Sequence, residues 1–175
     1  MNKLYLTGLP GAGKTETGKW LAEKLGWKFI DLDDLIETQA GQSIADIFSG
    51  SGEEYFRKLE SEILRKTVAM APCVVSCGGG TPEWHENMDW MNRNGLTVYL
   101  NPDIETIAAR LAADKKPRPM FSGLKKDAIR KKLNEISDRR MPFYSRSKVV
   151  WNKNKPDENF YLSLNKLLAF YKSPA

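Results

Sequence analysis

The chain holds little that could cross-link or bind a metal: two cysteines and one histidine in 175 residues. Cys73 and Cys77 stand four apart in one apolar segment, which in an extended strand is too far for a disulfide. No Cys or His cluster has metal-ligand spacing, so both thiols are expected to be buried and reduced, in a cytoplasmic protein. The lone His85 sits beside Trp84 and is expected at the surface without a role. No apolar run approaches the length that spans a bilayer, which excludes a transmembrane helix and a membrane partner. The opening MNKLYLTGLP reads directly as a strand and leaves no space for a secretory signal. Repeats, low-complexity tracts and inter-domain linkers are also missing, so one domain over residues 1–175 is expected.

What is present is ordinary in bulk: 41% apolar and 28% charged residues, with a net charge of +5. A positive balance fits either nucleic acid or small anionic substrates. Much of it falls in residues 115–146, where Asp127, Glu135 and Asp138 recur at helical spacing. Aromatic residues are not interleaved there in the way that stacks bases. A solvated, mixed-charge helix is therefore expected, and no nucleic-acid partner. Nothing in the chain requires a second copy, so a monomer is expected.

Apolar, β-rich runs fall at residues 3–7, 27–30, 73–76, 96–100 and 148–151, separated by helical patterns. Such short apolar runs are the mark of fully buried parallel strands, and the alternation predicts βα units with helices on both faces of the sheet. The fold class is thus α/β: three layers, α/β/α, around a central five-stranded parallel sheet. An insertion at about 33–71 has helical periodicity, with Ser43 and Gly52 as helix starts. Residues 113–124 hold two prolines, a glycine and three basic residues, the composition of a mobile lid between two helices. Pro156 opens a last helix over 157–171, expected to close the core with Leu162, Leu164, Leu167, Leu168 and Phe170.

The run Gly8-Leu9-Pro10-Gly11-Ala12-Gly13-Lys14-Thr15 satisfies G-x-x-x-x-G-K-[ST] between a strand and a helix. Glycines let backbone N–H groups turn in around phosphate oxygens, and the helix that follows adds its positive end. Gly11, Ala12, Gly13, Lys14, Thr15 and Glu16 are the candidate nucleotide contacts. Lys14 would reach the β- and γ-phosphates and the Thr15 hydroxyl would hold Mg²⁺.

A phosphate loop does not name the acceptor. Asp31 and Asp33 follow the second strand, where ligands of open α/β sheets bind. Their side chains are expected on opposite faces, one for Mg²⁺ and one for a second substrate. The plain alternative makes Asp33 a helix cap. Gly78-Gly79-Gly80 exceeds what a turn needs and points to close backbone approach, while Ser76 could hold a Mg²⁺-bound water. Arg57 stands three before Glu60, an intrahelical pair that could also aim the arginine at an anion. Arg118, between Pro117 and Pro119, suits delivery to a γ-phosphate, and Arg140 precedes Met141-Pro142-Phe143-Tyr144.

In this order and spacing, the set resembles shikimate kinase nearly end to end. The matching motifs are Gly8 to Thr15, Asp31-x-Asp33, Phe56-Arg57-x-x-Glu60, Ser76-x-Gly78-Gly79-Gly80, Arg118-Pro119 and Arg140-x-Pro142-x-Tyr144. The resemblance implies phosphorylation of the shikimate 3-hydroxyl by Mg-ATP, within aromatic amino-acid biosynthesis. It implies that Arg57, Arg140 and the glycine triplet (Gly78, Gly79, Gly80) bind the substrate carboxylate. Asp33 would bind its hydroxyls and take the proton, and Thr15, Asp31 and Ser76 would surround Mg²⁺. Lys14 and Arg118 would neutralise the transferred group, and Arg110 would stack on adenine. The insertion becomes the substrate-binding region. Departures from the family pattern are Leu32 between the aspartates, Met120-Phe121 after Arg118-Pro119, and the 151–155 loop. The alternatives are another small-metabolite or nucleoside-monophosphate kinase of this fold, a catalytically silent nucleotide-binding module, and a basic nucleic-acid binder.

Overall fold

The computed structural model describes residues 2–114 and 119–171. Five strands, β1 (Lys3–Thr7), β2 (Lys28–Asp31), β3 (Cys73–Ser76), β4 (Leu96–Leu100) and β5 (Val149–Trp151), form one sheet. Their order is β2-β3-β1-β4-β5, and every pairing is parallel. Each lies within a residue of its expected run. The helices are α1 (Lys14–Leu25), α2 (Leu32–Ala40), α3 (Ile44–Lys66), α4 (Asn87–Asn94), α5 (Ile104–Ala113), α6 (Lys126–Tyr144) and α7 (Glu158–Phe170).

Strand alternation sorts the apolar side chains into two cores. On one face Leu4, Leu6, Val74 and Val98 meet Leu21 of α1, Ile107 of α5, Leu133 of α6 and Phe160 of α7. On the other, Tyr5, Val75, Cys73 and Cys77 meet Ile36 of α2, Ile63 and Leu64 of α3, and Met88 and Met91 of α4. Both cysteines are free and buried, as expected. Because every strand runs the same way, all five carboxyl ends open onto one edge. From there β1 leads toward β2 and β4 toward β5 at the opposite side, so the crevice beside β1 is a switch point where ligands bind.

Ser43 caps α3, accepting from the Asp46 amide at 3.1 Å, and Gly52 breaks it at φ 81°, ψ 174°. That conformation is open essentially to glycine alone, so α3 is two helices meeting at a sharp joint.

Two expectations fail at α7. Asp157, not Pro156, starts the helix: its carboxylate accepts from the Phe160 amide at 2.9 Å. The buried stripe is Phe160, Leu164 and Leu168, whereas Leu162, Leu167 and Phe170 are exposed. A helix lying on one core buries a single stripe, and spacings of four select it from a leucine-rich sequence. The lid assigned to 113–124 lies partly outside the described residues; within them, Phe121 is buried in the larger core and Met120 is exposed.

Candidate active site

The phosphate loop runs from β1 into α1, whose N-terminal residue, Gly13, provides no side-chain cap. The first-turn amides are thereby left facing a cavity of about 430 Å³, lined in part by Gly11, Gly13, Lys14, Thr15, Asp31, Asp33, Ser76 and Gly78. The buried Lys14 folds back over the loop, and its Nζ donates to the carbonyls of Gly8 at 2.9 Å and Leu9 at 3.0 Å. Thr15 Oγ1 donates to Asp31 Oδ2 at 3.0 Å, across the mouth between α1 and β2.

The two aspartates do not point to opposite faces. Asp31 ends β2 and caps α2, its Oδ1 accepting from the Asp33 amide at 3.2 Å. Residues two apart share a face of an extended chain, and although the helix begins at Leu32 both carboxylates line the same cavity. Leu32 takes the opposite direction and is fully buried in the smaller core. Asp33 is accordingly not the cap; Asp31 is.

Beyond Asp33 lies a cationic end built on the glycine triplet. Arg57 Nη1 donates to Glu60 Oε2 at 2.8 Å, and its Nε and Nη2 donate to Glu53 Oε1 at 3.3 and 3.2 Å. Arg140 Nε donates to Glu83 Oε1 at 3.3 Å. A Cβ on Gly80 would lie 2.6 Å from Arg57 Nη2, one on Gly79 would lie 2.9 Å from Arg140 Nη1, and one on Gly78 would lie 2.9 Å from Glu60 Oε1. The triplet is thus the floor on which both guanidinium groups and the buried Glu60 rest. Tyr144 Oη closes it from below, donating to the Gly79 carbonyl at 2.6 Å. Burial pushes the Tyr144 hydroxyl above the usual phenol range, so it stays protonated and keeps donating. Cys77, one residue before the triplet, is likewise pushed up by burial and stays a thiol.

At the other end, Arg110 reaches from α5 between two carbonyls. Its Nη2 donates to Asn154 O at 2.6 Å and its Nη1 to Gly11 O at 3.4 Å. The guanidinium lines a second cavity of about 390 Å³ with Ala12, Glu16, Trp20, Asn154 and Pro156. The loop after β5, atypical in sequence, is fixed by Asn154 Oδ1 accepting from the Asp103 amide at 3.2 Å. Arg118 lies outside the described residues. Of the other expected site residues, Gly80, Arg57 and Arg140 form the glycine-floor end, and the rest line one of the two cavities.

Sequence reasoning missed Thr81, Glu83 and Asn87. Their partners Glu60, Arg140 and Ser61 lie 21 to 57 residues away, so no local spacing marks them. Among the described residues, no group of three or more His, Cys, Asp or Glu converges as a metal cluster, and no helix is long and apolar enough to cross a membrane.

Known proteins resemble this chain over nearly its whole length. Residues 10–168 match the family model for shikimate kinase. The chain belongs to the shikimate kinase family. A shikimate kinase of Parabacteroides distasonis is 37% identical over 155 residues, covering 89% of this chain and 90% of the relative. The crystal structure of shikimate kinase from Bacteroides thetaiotaomicron superposes with a TM-score of 0.88 at 35% identity, covering 95% of this chain and 98% of that one. A second, the Acinetobacter baumannii shikimate kinase in complex with shikimate, gives 0.83 at 30% identity over 99% and 96%. The three-layer fold with its phosphate loop is therefore that of the shikimate kinases, inherited over essentially the whole length.

Proposed function

We propose that this protein transfers the γ-phosphate of Mg-ATP to the 3-hydroxyl of shikimate, giving shikimate 3-phosphate and ADP. The observation that carries the reading is the pair of guanidinium groups, Arg57 and Arg140, laid against Gly80 and Gly79 at one end of the cleft. The phosphate loop and its lysine stand at the other end. Planar forks match a carboxylate in charge and shape, and leave a neutral analogue unrewarded. Asp33 stands between the two ends and accepts the substrate hydroxyls, holding the 3-oxygen toward the γ-phosphorus.

In the transfer, that oxygen bonds to phosphorus as the β–γ bridging bond breaks, and ADP leaves with the bond's electron pair. The hydroxyl proton passes toward Asp33. A loose transition state demands little deprotonation beforehand, so the contribution of Asp33 is chiefly orientation. Lys14 must leave the loop carbonyls to meet the β- and γ-oxygens, exchanging neutral acceptors for anionic ones. Arg118 adds positive charge to the transferred group from the 113–124 segment, which acts as the lid, and Arg110 packs on the adenine.

The hard oxygen donors Thr15 Oγ1 and Asp31 Oδ2, already 3.0 Å apart, suit Mg²⁺, which keeps several waters and needs few protein ligands. Ser76, buried at the end of β3, would hold one of those waters. The bound ion supplies charge neutralisation of the phosphates. Every residue named comes from one chain, so the reading requires no second subunit.

The test is ADP release from Mg-ATP with shikimate, gluconate, AMP or CMP as acceptor, against a control with none. Release with shikimate alone is expected. Activity on another acceptor would overturn the arginine clamp and keep the phosphate loop; silence with ATP still bound would favour a regulatory nucleotide-binding module.

A further inference from the structure

Arg57 has one firm tether and one loose one. Glu53 is exposed, so its contact is a surface pair of little strength. Glu60 has no exposure, and the direction of the guanidinium follows from the direction of its Oε2. A carboxylate turns readily about its last torsion, so a single contact to Arg57 does not fix its plane. The second oxygen does. Glu60 Oε1 accepts from Thr81 Oγ1 at 2.5 Å, a short charge-assisted bond in a site closed to water.

Thr81 is itself held hard. It opens a 3-10 turn, Thr81–Glu83, directly after the glycine triplet. The fully buried Asn87 ties that turn to α3: its Nδ2 donates to Thr81 O at 2.9 Å and to Ser61 Oγ at 3.0 Å. Ser61 Oγ donates in turn to Arg57 O at 2.8 Å. Arg65 completes the frame from α3, donating to Asn87 Oδ1 at 2.8 Å and to His85 O at 2.9 Å. The segment so clamped contains His85 at φ 46° and Glu86 at φ 56°. Two successive non-glycine residues in that region persist only where their surroundings over-determine them, which recurs at ligand clamps.

We propose that Thr81 is a positioning residue: acting through Glu60, its hydroxyl sets the aim of Arg57 at the substrate carboxylate. The inference rests on the reading of Arg57 as a carboxylate clamp. It explains why polar groups that do not line the cleft are gathered, buried and partnered, beside the glycine floor.

The test compares Thr81→Val, which keeps the shape and loses the hydroxyl, with Thr81→Ser, which restores it, using Arg57→Ala as reference. Steady-state constants for shikimate and ATP are measured with a thermal melt of each variant. Thr81→Val is expected to raise the shikimate KM about tenfold and to leave the ATP KM within about twofold, with Thr81→Ser returning to near the parent, on the scale of one lost charge-assisted bond. A purely structural hydroxyl would lower the melting temperature and move both KM values together, or neither, and that result overturns the proposal. So does failure of Thr81→Ser to rescue. If Thr81→Val does not fold, Thr81→Ala gives the same comparison without setting a methyl against the Glu60 carboxylate. An unchanged shikimate KM in Arg57→Ala would instead remove the clamp itself, which separates the two failures.

Discussion

Single atoms decide the acid end of the site, and the glycine triplet shows how. Gly80 has an ordinary backbone, φ −91°, so its requirement is for space: an added methyl would stand 2.6 Å from Arg57 Nη2. The obstacle is the tip of a flexible side chain, which can move while the fold stays. Gly80→Ala is therefore expected to raise the shikimate KM about 10- to 100-fold through loss of aligned charged hydrogen bonds. Its ATP KM and melting temperature should stay near those of the parent, and kinetics beside a melt check both. Arg140→Ala should raise the shikimate KM by a similar factor, since it removes one fork and leaves Glu83 paired with Arg139 alone. A normal shikimate KM in the folded variant would take Arg140 out of the clamp. The Arg57–Glu60 pair was legible in sequence because three residues is one helical turn. The Arg140–Glu83 pair was not, because its 57-residue separation closes only when α6 packs beside the triplet.

At the scale of elements, starts and breaks matter more than lengths. The alternation Asp31-Leu32-Asp33 sets two carboxylates on the cleft and one leucine in the core, and it survives the start of α2 at Leu32. The expectation of opposite faces failed because side chains two residues apart share a face where the chain is extended, as it still is at Asp31. Gly52 was read as a helix start and is one, but of a second helix continuing the first through a joint at φ 81°. A Cβ there would meet nothing within 4 Å, so the cost of Gly52→Ala is backbone strain alone, about 1–3 kcal/mol. Urea unfolding should show that loss with an unchanged slope. Arg57 stands five residues beyond the joint, so the shikimate KM should rise while the ATP KM holds. Full stability in Gly52→Ala would mean that the joint relaxes into continuous helix.

Across the whole molecule, burial on both faces of the sheet has a consequence at high pH. Tyr99 is pushed up to about 12 by burial, and burial raises Tyr5, Tyr144, Cys73 and Cys77 above their usual ranges as well. Each prefers its neutral, protonated form in the fold. The unfolded chain releases these protons first, near its ordinary values of about 8.5 for Cys and about 10 for Tyr. Above that range the unfolded state binds fewer protons than the native one, so stability falls as pH rises. Their contribution is full below about pH 8 and lost progressively through about pH 12. Urea midpoints across that range should decline together with the rise in tyrosinate absorbance. Midpoints flat to about pH 11 would show that these groups ionise as freely in the fold as out of it.

The sequence by itself determined the five strands and their parallel class, the phosphate loop, and the family to which the chain belongs. It could do so because strand burial, loop glycines and helix-turn spacing are local patterns of a few residues. Only the tertiary structure decided that Asp31 and Asp33 share one cavity. It alone decided that α7 buries Phe160, Leu164 and Leu168, and that Thr81, Glu83 and Asn87 stand behind the arginines. Those facts depend on which distant surfaces meet once the helices pack on the sheet, and the buried groups behind the arginines find partners 21 to 57 residues away.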